Sequence, residues 1–546
     1  MARILEPEKR LPLSNQDLLS YVFDRPAYDR TQSIYIDAHN PSRSISWNQA
    51  RTIIRQLIKG LRNAGLQNGD CVAVHSLNNI FYSVVVLAIV GSGGIFTGTN
   101  PSYTAGELQH HLKTSQSKFV FCESEFVSPL LESAKQASIH NGNIWVFDTT
   151  GDSILPPGLQ SWTHLLKQGE SDWVHFDDLV IAKKTTAARF FSSGTTGLPK
   201  AVEITHHNLL AQHSLVFEAH PRPYSMSHLI VLPAFHAAIA PLMHIGALRS
   251  GYVMYIMRRF ELNSYLEFVD KYNITDLIVV PPILTAVLKS EHPEKERRLK
   301  KVKNIVCGAA PLDKAIQSQA RDLLPKDTPL TQAWGMTETC CASMIFPYPE
   351  KDETGSVGRL VPNVEAKLID DQGRNITAYN VPGELCIRGP TVTPGYFDNV
   401  SANSSAFDDD GWLKTGDIAS CDEASRKWYI VDRKKELIKV SGFQVAPSEV
   451  EAVLLSHPGV ADAAVVGARN PGDGTERPCA FVVPKSGMKV ISVELKLYAA
   501  RRLAKYKELS GGVKFVDAIP RNASGKILRR VLRDMCDDDG GLKSKL

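Results

Sequence analysis

Phe191-Ser192-Ser193-Gly194-Thr195-Thr196-Gly197-Leu198-Pro199-Lys200 follows an apolar, strand-like run that begins at Ala187. Hydroxyl side chains and free backbone N–H groups are the donors that a polyphosphate needs. Gly194 and Gly197 let the backbone approach such a ligand and adopt positive φ at little cost. Lys200 adds a compact positive charge. The stretch is not a Walker A loop, in which Gly, Lys and Ser/Thr are adjacent at the end; here Leu198 and Pro199 separate Gly197 from Lys200. Taken alone, the Gly-Thr-Thr-Gly core reads equally well as a flexible surface loop.

Outward from this stretch, between Cys71 and about Trp334, short β-rich runs alternate with helical ones. Cys71–His75, Phe119–Cys122, Ile144–Phe147, Leu229–Leu232, Tyr252–Met257, Leu277–Val280 and Ile305–Cys307 read as buried strands. Ala105–Ser115, Leu262–Tyr272 and Leu312–Leu324 read as helices. Such alternation predicts layered α/β subdomains with largely parallel sheets and ligand sites at strand ends. From about Glu353 the texture changes to short strands (Val364–Asp370, Gly383–Arg388, Lys427–Val431), a small β-rich subdomain. A compact α+β unit follows, with a helix over Pro447–Ser456 that starts on proline. The expected organisation is therefore α/β: a large N-terminal domain over 1–432 (β-rich over about 353–432), a small, mobile α+β C-terminal domain over 433–536, and a tail over 537–546. Between the two bodies, Val431-Asp432-Arg433-Lys434-Lys435-Glu436 reads as a solvated turn or as a hinge.

The chain has 546 residues, 43% hydrophobic and 22% charged, with a net charge of +4, which argues against a nucleic-acid-binding surface. Its longest apolar run, Ile80 to Val90, is too short for a membrane span and reads as a buried helix. Nine scattered cysteines without a C-x-x-C pair read as reduced thiols, and the pairs His110-His111 and His206-His207 lack a completing ligand spacing for a structural metal. The terminal Ser544-Lys545-Leu546 matches the peroxisomal tripeptide, and an import receptor is the expected partner.

With its flanks, the opening stretch resembles the phosphate loop of the adenylate-forming superfamily, which includes acyl- and aryl-CoA synthetases, luciferases and peptide-synthetase adenylation domains. Three further blocks carry the resemblance: Gln332-Ala333-Trp334-Gly335-Met336-Thr337-Glu338, preceded by Gly308-Ala309-Ala310-Pro311; Lys414-Thr415-Gly416-Asp417 with Asp432-Arg433; and Lys439-Val440-Ser441-Gly442-Phe443-Gln444 with Pro520-Arg521-Asn522-Ala523-Ser524-Gly525-Lys526. The texture over about Ser46 to Arg530 is similar to the 4-coumarate–CoA ligase-like branch.

The resemblance implies an enzyme that joins a small carboxylic acid to CoA at the expense of ATP, with Mg²⁺. Ser192, Ser193, Gly194, Thr195, Thr196, Gly197 and Lys200 would hold the β- and γ-phosphates. Gly308, Ala309, Ala310, Gln332, Ala333, Trp334, Gly335 and Met336 would frame the adenine, with Trp334 stacked on it. Thr337 would bond the α-phosphate and Glu338 would hold the metal, a hard cation that favours oxygen. Asp417, helped by Arg433, would accept the ribose hydroxyls, and Lys435 would be the hinge. Lys526 would serve adenylation; after rotation Lys439 and Gln444 would face the site, with Ser441, Gly442 and Phe443 along the CoA path.

His236 resembles the family's gating histidine, and Ala237, Ala238, Gly335, Cys340 and Cys341 would line the acyl pocket. Two departures stand out: Ala201 where the family usually has glycine, and Ala238 where hydroxycinnamate ligases have tyrosine. The second implies a roomier pocket for aryl-acetic, cinnamic-like or medium-chain acids. A luciferase-like or carrier-loading enzyme, or a nucleotide-binding protein without catalysis, would share parts of the pattern.

Overall fold

The computed structural model describes residues 3–24, 26–151, 155–192, 199–440, 443–469, 476–522 and 525–542. Ser193, Gly194, Thr195, Thr196, Gly197, Ser441, Gly442 and the tripeptide Ser544–Leu546 therefore lie outside the described residues.

The two largest sheets of the large domain share one apolar core. An eight-stranded sheet runs in the order Gly395–Tyr396, Lys200–Thr205, Thr186–Ser192, Ile95–Thr99, Cys71–His75, Ser117–Cys122, Ile144–Val146 and Gln160–Ser161. A seven-stranded sheet runs Leu330–Gln332, Asn304–Cys307, Asp276–Val279, Ser227–Ile230, Val253–Ile256, Ser33–Asp37 and Ser44–Ser46. Its first six strands are parallel, as near-continuous apolar runs require when both faces are covered. Helix Tyr82–Gly91 is buried at every position, which is why it lacks a polar face.

Two features go beyond the sequence reading. Ser33–Asp37 and Ser44–Ser46, upstream of the alternating region, complete the second sheet as an antiparallel pair. The segment Val431–Glu436 is also not a solvated turn throughout: the strand Trp428–Arg433 runs through its first half, and Asp432 is buried.

Beyond these sheets, a five-stranded antiparallel sheet from Glu365 to Arg433 has its own core around Leu368, Leu385, Ile387 and Trp428. The C-terminal unit packs helix Pro447–Leu455 on a sheet of Val460–Arg469, Glu476–Pro484 and Gly512–Phe515. It meets the large body at Lys289, whose Nζ donates to the Ala461 carbonyl (2.6 Å), and at Pro282, against which Gly525 docks so closely that a Cβ there would come within 2.8 Å.

Candidate active site

One helix contacts both Phe191 and Pro199. Thr104 and Glu107 form a capping box at the start of helix Ala105–Thr114, which projects His110 and His111 toward the loop's flanks. His111 stacks on Phe191 with ring centroids 3.6 Å apart, and its Nε2 lies 2.8 Å from the Thr97 hydroxyl. His110 Nε2 donates to the Pro199 carbonyl at 3.0 Å. His110 and His111 are thus packing and positioning groups; His206, likewise, accepts the Leu18 N–H on Nδ1 (3.0 Å).

Ser192 and Lys200 open into a cavity of about 790 Å³. Gly308, Ala309, Ala333, Trp334, Gly335, Met336, Thr337 and Glu338 line it from the strand ends of the seven-stranded sheet and the hairpin that follows. Gly335 has no alternative there, because a Cβ would meet the Cys341 carbonyl at 1.7 Å. From the five-stranded sheet and the linker come Lys414, Thr415, Arg433 and Lys435, and from the C-terminal unit Asn522 and Lys526.

Lys526 is held by a tight turn. Its backbone N–H donates to Asn522 Oδ1 (2.8 Å), the Asn522 N–H donates to the Lys526 carbonyl (2.9 Å), and Gly525 takes φ +80°. Burial and the Arg433 charge push the Lys526 amine down to about 8, against the opposing pull of Glu436 and Asp417. It is protonated below that pH and neutral above it.

Asp417 does not line the cavity surface. Trp334 Nε1 donates to its Oδ2 (2.9 Å) and Arg433 Nε lies 3.2 Å from Oδ1, so both neighbours shield the buried carboxyl. Burial raises its pKa, and Arg433 and Trp334 resist that rise.

Four expected site residues stand elsewhere. Gln332 is buried behind the cavity, where it accepts the Leu312 N–H (3.1 Å) and donates to the Leu312 carbonyl (3.3 Å) and Gln317 (3.1 Å), clamping the Gly308–Leu312 turn instead of touching a ligand. Ala310 is likewise off the cavity, one residue past Ala309. Cys340 points into the apolar core, because its left-handed backbone (φ 61°) turns the side chain away from its neighbour. Lys439 is exposed on the strand Ile438–Val440, paired with Phe443–Val445, and its N–H donates to Glu476 (2.8 Å).

Also in the cavity lining, Ala237, Ala238, Cys341 and Ala342 stand with His236. The Cys341 thiol donates to the Ala238 carbonyl (3.3 Å) and burial pushes its pKa to about 12, so it acts as a small apolar surface. His236 accepts the Ala238 N–H on Nδ1 (3.2 Å), which leaves the proton on Nε2, and burial lowers its pKa, keeping the ring neutral.

Sequence reasoning missed Tyr396. Its hydroxyl donates to Glu338 Oε1 (2.9 Å) and its ring lies under Lys200 Nζ at 4.9 Å. The strand Gly395–Tyr396 pairs with Lys200–Thr205, distant in sequence, and no local pattern around Pro394-Gly395-Tyr396 signals that pairing. Glu338 is buried, with one oxygen taken by Tyr396, and no cluster of three or more His, Cys, Asp or Glu among the described residues could hold a metal ion. One buried carboxylate suits a Mg²⁺ that arrives with phosphate oxygens as its other ligands.

Residues 22–397 match the AMP-binding enzyme family and residues 449–526 match the AMP-binding enzyme C-terminal domain. The chain belongs to the AMP-binding enzyme family. It is 51% identical to the phenylacetyl-CoA ligase epaB of Aspergillus niger over 97% of this chain and 99% of that one, and 51% identical to the acyl-CoA ligase azaF of Aspergillus niger over 96% and 99%. Among solved structures, ATP-bound MatB from Rhodopseudomonas palustris is 25% identical with a TM-score of 0.83, covering 96% of this chain and 99% of that one. The o-succinylbenzoate CoA synthetase MenE of Bacillus subtilis, in complex with AMP, is 26% identical with a TM-score of 0.77, covering 96% and 98%. As a member of this family the chain is an AMP-forming acid–thiol ligase.

Proposed function

We propose that this ligase activates an aryl-acetic, cinnamic-like or medium-chain acid with MgATP and passes the acyl group to CoA. The observation that carries this reading is the cavity, lined both by the cations Lys200, Lys414, Arg433 and Lys526 and by small apolar residues beside neutral His236. A carboxylate is a poor acyl donor because its oxygen leaves poorly. Attack of a carboxylate oxygen on the α-phosphorus forms the acyl-adenylate and expels pyrophosphate. Lys526, protonated, offsets charge on the α-phosphate, and Thr337 orients it; both act by position, without reorganisation during the step. Glu338 would hold Mg²⁺, whose chemistry is to neutralise the phosphate oxygens. The CoA thiolate then adds to the acyl carbonyl and AMP leaves. Exposed Lys439 supports a second arrangement, in which the C-terminal unit has turned about Lys435. The terminal Ser544-Lys545-Leu546 supports delivery to peroxisomes, and a tail-deleted fusion that still co-localised with them would refute it.

The deciding assay is acid- and CoA-dependent AMP release with the thioester confirmed by mass, across phenylacetic, cinnamic and saturated fatty acids. Pyrophosphate release without thioester from every acid would refute CoA transfer.

Two predictions arise here. Adenylation should fall about ten-fold per pH unit above the Lys526 pKa of about 8, because only the charged amine offsets phosphate charge. In Lys526→Arg, whose guanidinium stays charged, the alkaline limb should vanish, and an unchanged limb would assign the titration to another group. Tyr396→Phe keeps the ring under Lys200 but frees Glu338; the Mg²⁺ concentration for half-maximal adenylation should rise roughly ten-fold, the worth of one hydrogen bond to a charged group. ATP titration calorimetry at limiting Mg²⁺ should show the same shift.

A further inference from the structure

Arg222 is a further charged residue in the lining of the cavity. The nucleotide end of the cavity is built on the C-terminal ends of the parallel strands, at Gly308 and Ala333. From there the lining follows Val280, Val279 and Ile278 back along the strand Asp276–Val279, and Arg222 also lines the cavity. Arg222 Nε lies 3.8 Å from Asp276 Oδ1, which places the guanidinium at the N-terminal edge of the same strand. Between Asp276 and Val280, a strand rising roughly 3.3 Å per residue advances about 13 Å. That is room for an aryl group on a spacer, or for a medium-length chain, between the reacting carboxyl and Arg222.

The guanidinium is charged, only 16% exposed, and donates no hydrogen bond among the described residues; its Nε is buried without a partner. Asp276 does not use those donors. Its carboxylate already accepts from the Tyr224 hydroxyl (3.2 Å), the Thr275 hydroxyl (2.8 Å) and Asn304 Nδ2 (3.3 Å), and 3.8 Å is beyond hydrogen-bond range. The face of Arg222 is held by the Tyr348 ring at 4.7 Å, which in turn packs edge-on against Tyr224. Nε itself is shut away facing Asp276, so it is the terminal nitrogens of this fixed guanidinium that a ligand in the cavity would meet. Asp276 balances its charge, so a neutral oxygen fits better than a second carboxylate.

We propose that the acid activated by this enzyme carries a neutral oxygen acceptor (hydroxyl, ether or oxo) at the end remote from its carboxyl, and that Arg222 is the residue that selects it. This rests on the acid–CoA ligase reading above and names its substrate class more narrowly. The nearby Phe346 and Ile345 then hold the carbon skeleton while Arg222 reads its tip.

Matched pairs of acids test it, with kcat/KM for AMP release measured on wild type and Arg222→Met: octanoic and ω-hydroxyoctanoic, decanoic and ω-hydroxydecanoic, phenylacetic and para-hydroxyphenylacetic, phenylbutyric and its para-hydroxy analogue. For the pair of fitting length, wild type should prefer the hydroxylated acid by roughly 10- to 100-fold. Arg222→Met should erase that preference, lowering kcat/KM for the hydroxylated acid of the pair far more than for its unsubstituted partner. A wild type that prefers the unsubstituted acid in every pair, or a preference that survives in Arg222→Met, overturns the proposal and leaves the ligase reading intact. Absence of thioester from all of these acids and from their unsubstituted partners overturns both. Should Arg222→Met fold poorly, Arg222→Lys keeps the charge but loses the planar fork, and a hydroxyl preference unchanged in that variant would equally count against it.

Discussion

Lys526→Ala is expected to slow acyl-adenylate formation by about 100- to 1000-fold, the cost of removing one preorganised charge from the position where phosphate charge develops. Thiolysis of supplied acyl-adenylate should change far less. The geometry behind the asymmetry is simple: Lys526 reaches the cavity beside Arg433 and the Asp417 carboxyl, whereas Lys439 stands exposed on the outer face of the C-terminal unit. Lys439→Ala should show the reverse bias. The two half-reactions are separated by following pyrophosphate exchange into ATP and, independently, thioester formation from synthetic acyl-adenylate. Equal loss in both for Lys526→Ala would mean that the lysine holds the cavity's shape and does not act on one step.

Arg529→Met should destabilise the C-terminal unit by roughly 3–5 kcal/mol, the loss seen when a buried ion pair keeps only one member. Arg529 is almost fully enclosed. It pairs with Glu451 on helix Pro447–Leu455 and with Glu436 (2.9 Å), and it donates to the Val465 carbonyl (3.2 Å). Asp432 belongs to the same cluster, accepting the N–H and hydroxyl of Ser448 at 3.1 and 3.0 Å. This cluster joins the last helix to the linker that carries Lys435. Burial raises the Glu451 pKa, with Arg529 resisting; removing Arg529 leaves burial unopposed.

A carboxyl whose folded pKa lies above its unfolded one binds more protons when folded, so acid favours the folded state at this site. The stability deficit of Arg529→Met should therefore shrink as pH falls through the raised Glu451 pKa. Pairing it with Glu451→Gln should recover much of the loss near neutrality. Urea unfolding followed by limited proteolysis of the C-terminal unit reads both effects. A deficit that grew on acidification would show that the loss arises from packing and not from a stranded charge.

Strands such as Cys71–His75 and Gly383–Arg388 were legible because burial on both faces, or regular alternation, is written in the order of residues along a few consecutive positions. The turn before Lys526 was legible from Gly525, which takes positive φ, whereas the lysine's place at the site came from the resemblance of its whole motif. Gln332 was misplaced because its motif neighbours do line the cavity, while its own strand position turns it toward Leu312 and Gln317. Cys340 and Cys341 look alike in sequence, yet their successive positive φ values send one into the core and the other to the cavity lining.

By itself, then, the sequence determined the alternation of elements, the loop rich in hydroxyls and glycine, and the kinds of donor and acceptor available, because each depends on residues close together in the chain. Only the tertiary structure decided that Tyr396 would steady Glu338, that Trp334 would bond Asp417, and that Arg222 would line the cavity beside Asp276. These pairings lie across sheets or between sheet and loop. Their partners are chosen by strand order and register, which follow from the summed burial of the whole domain and leave no mark on the short stretch around any one of the residues.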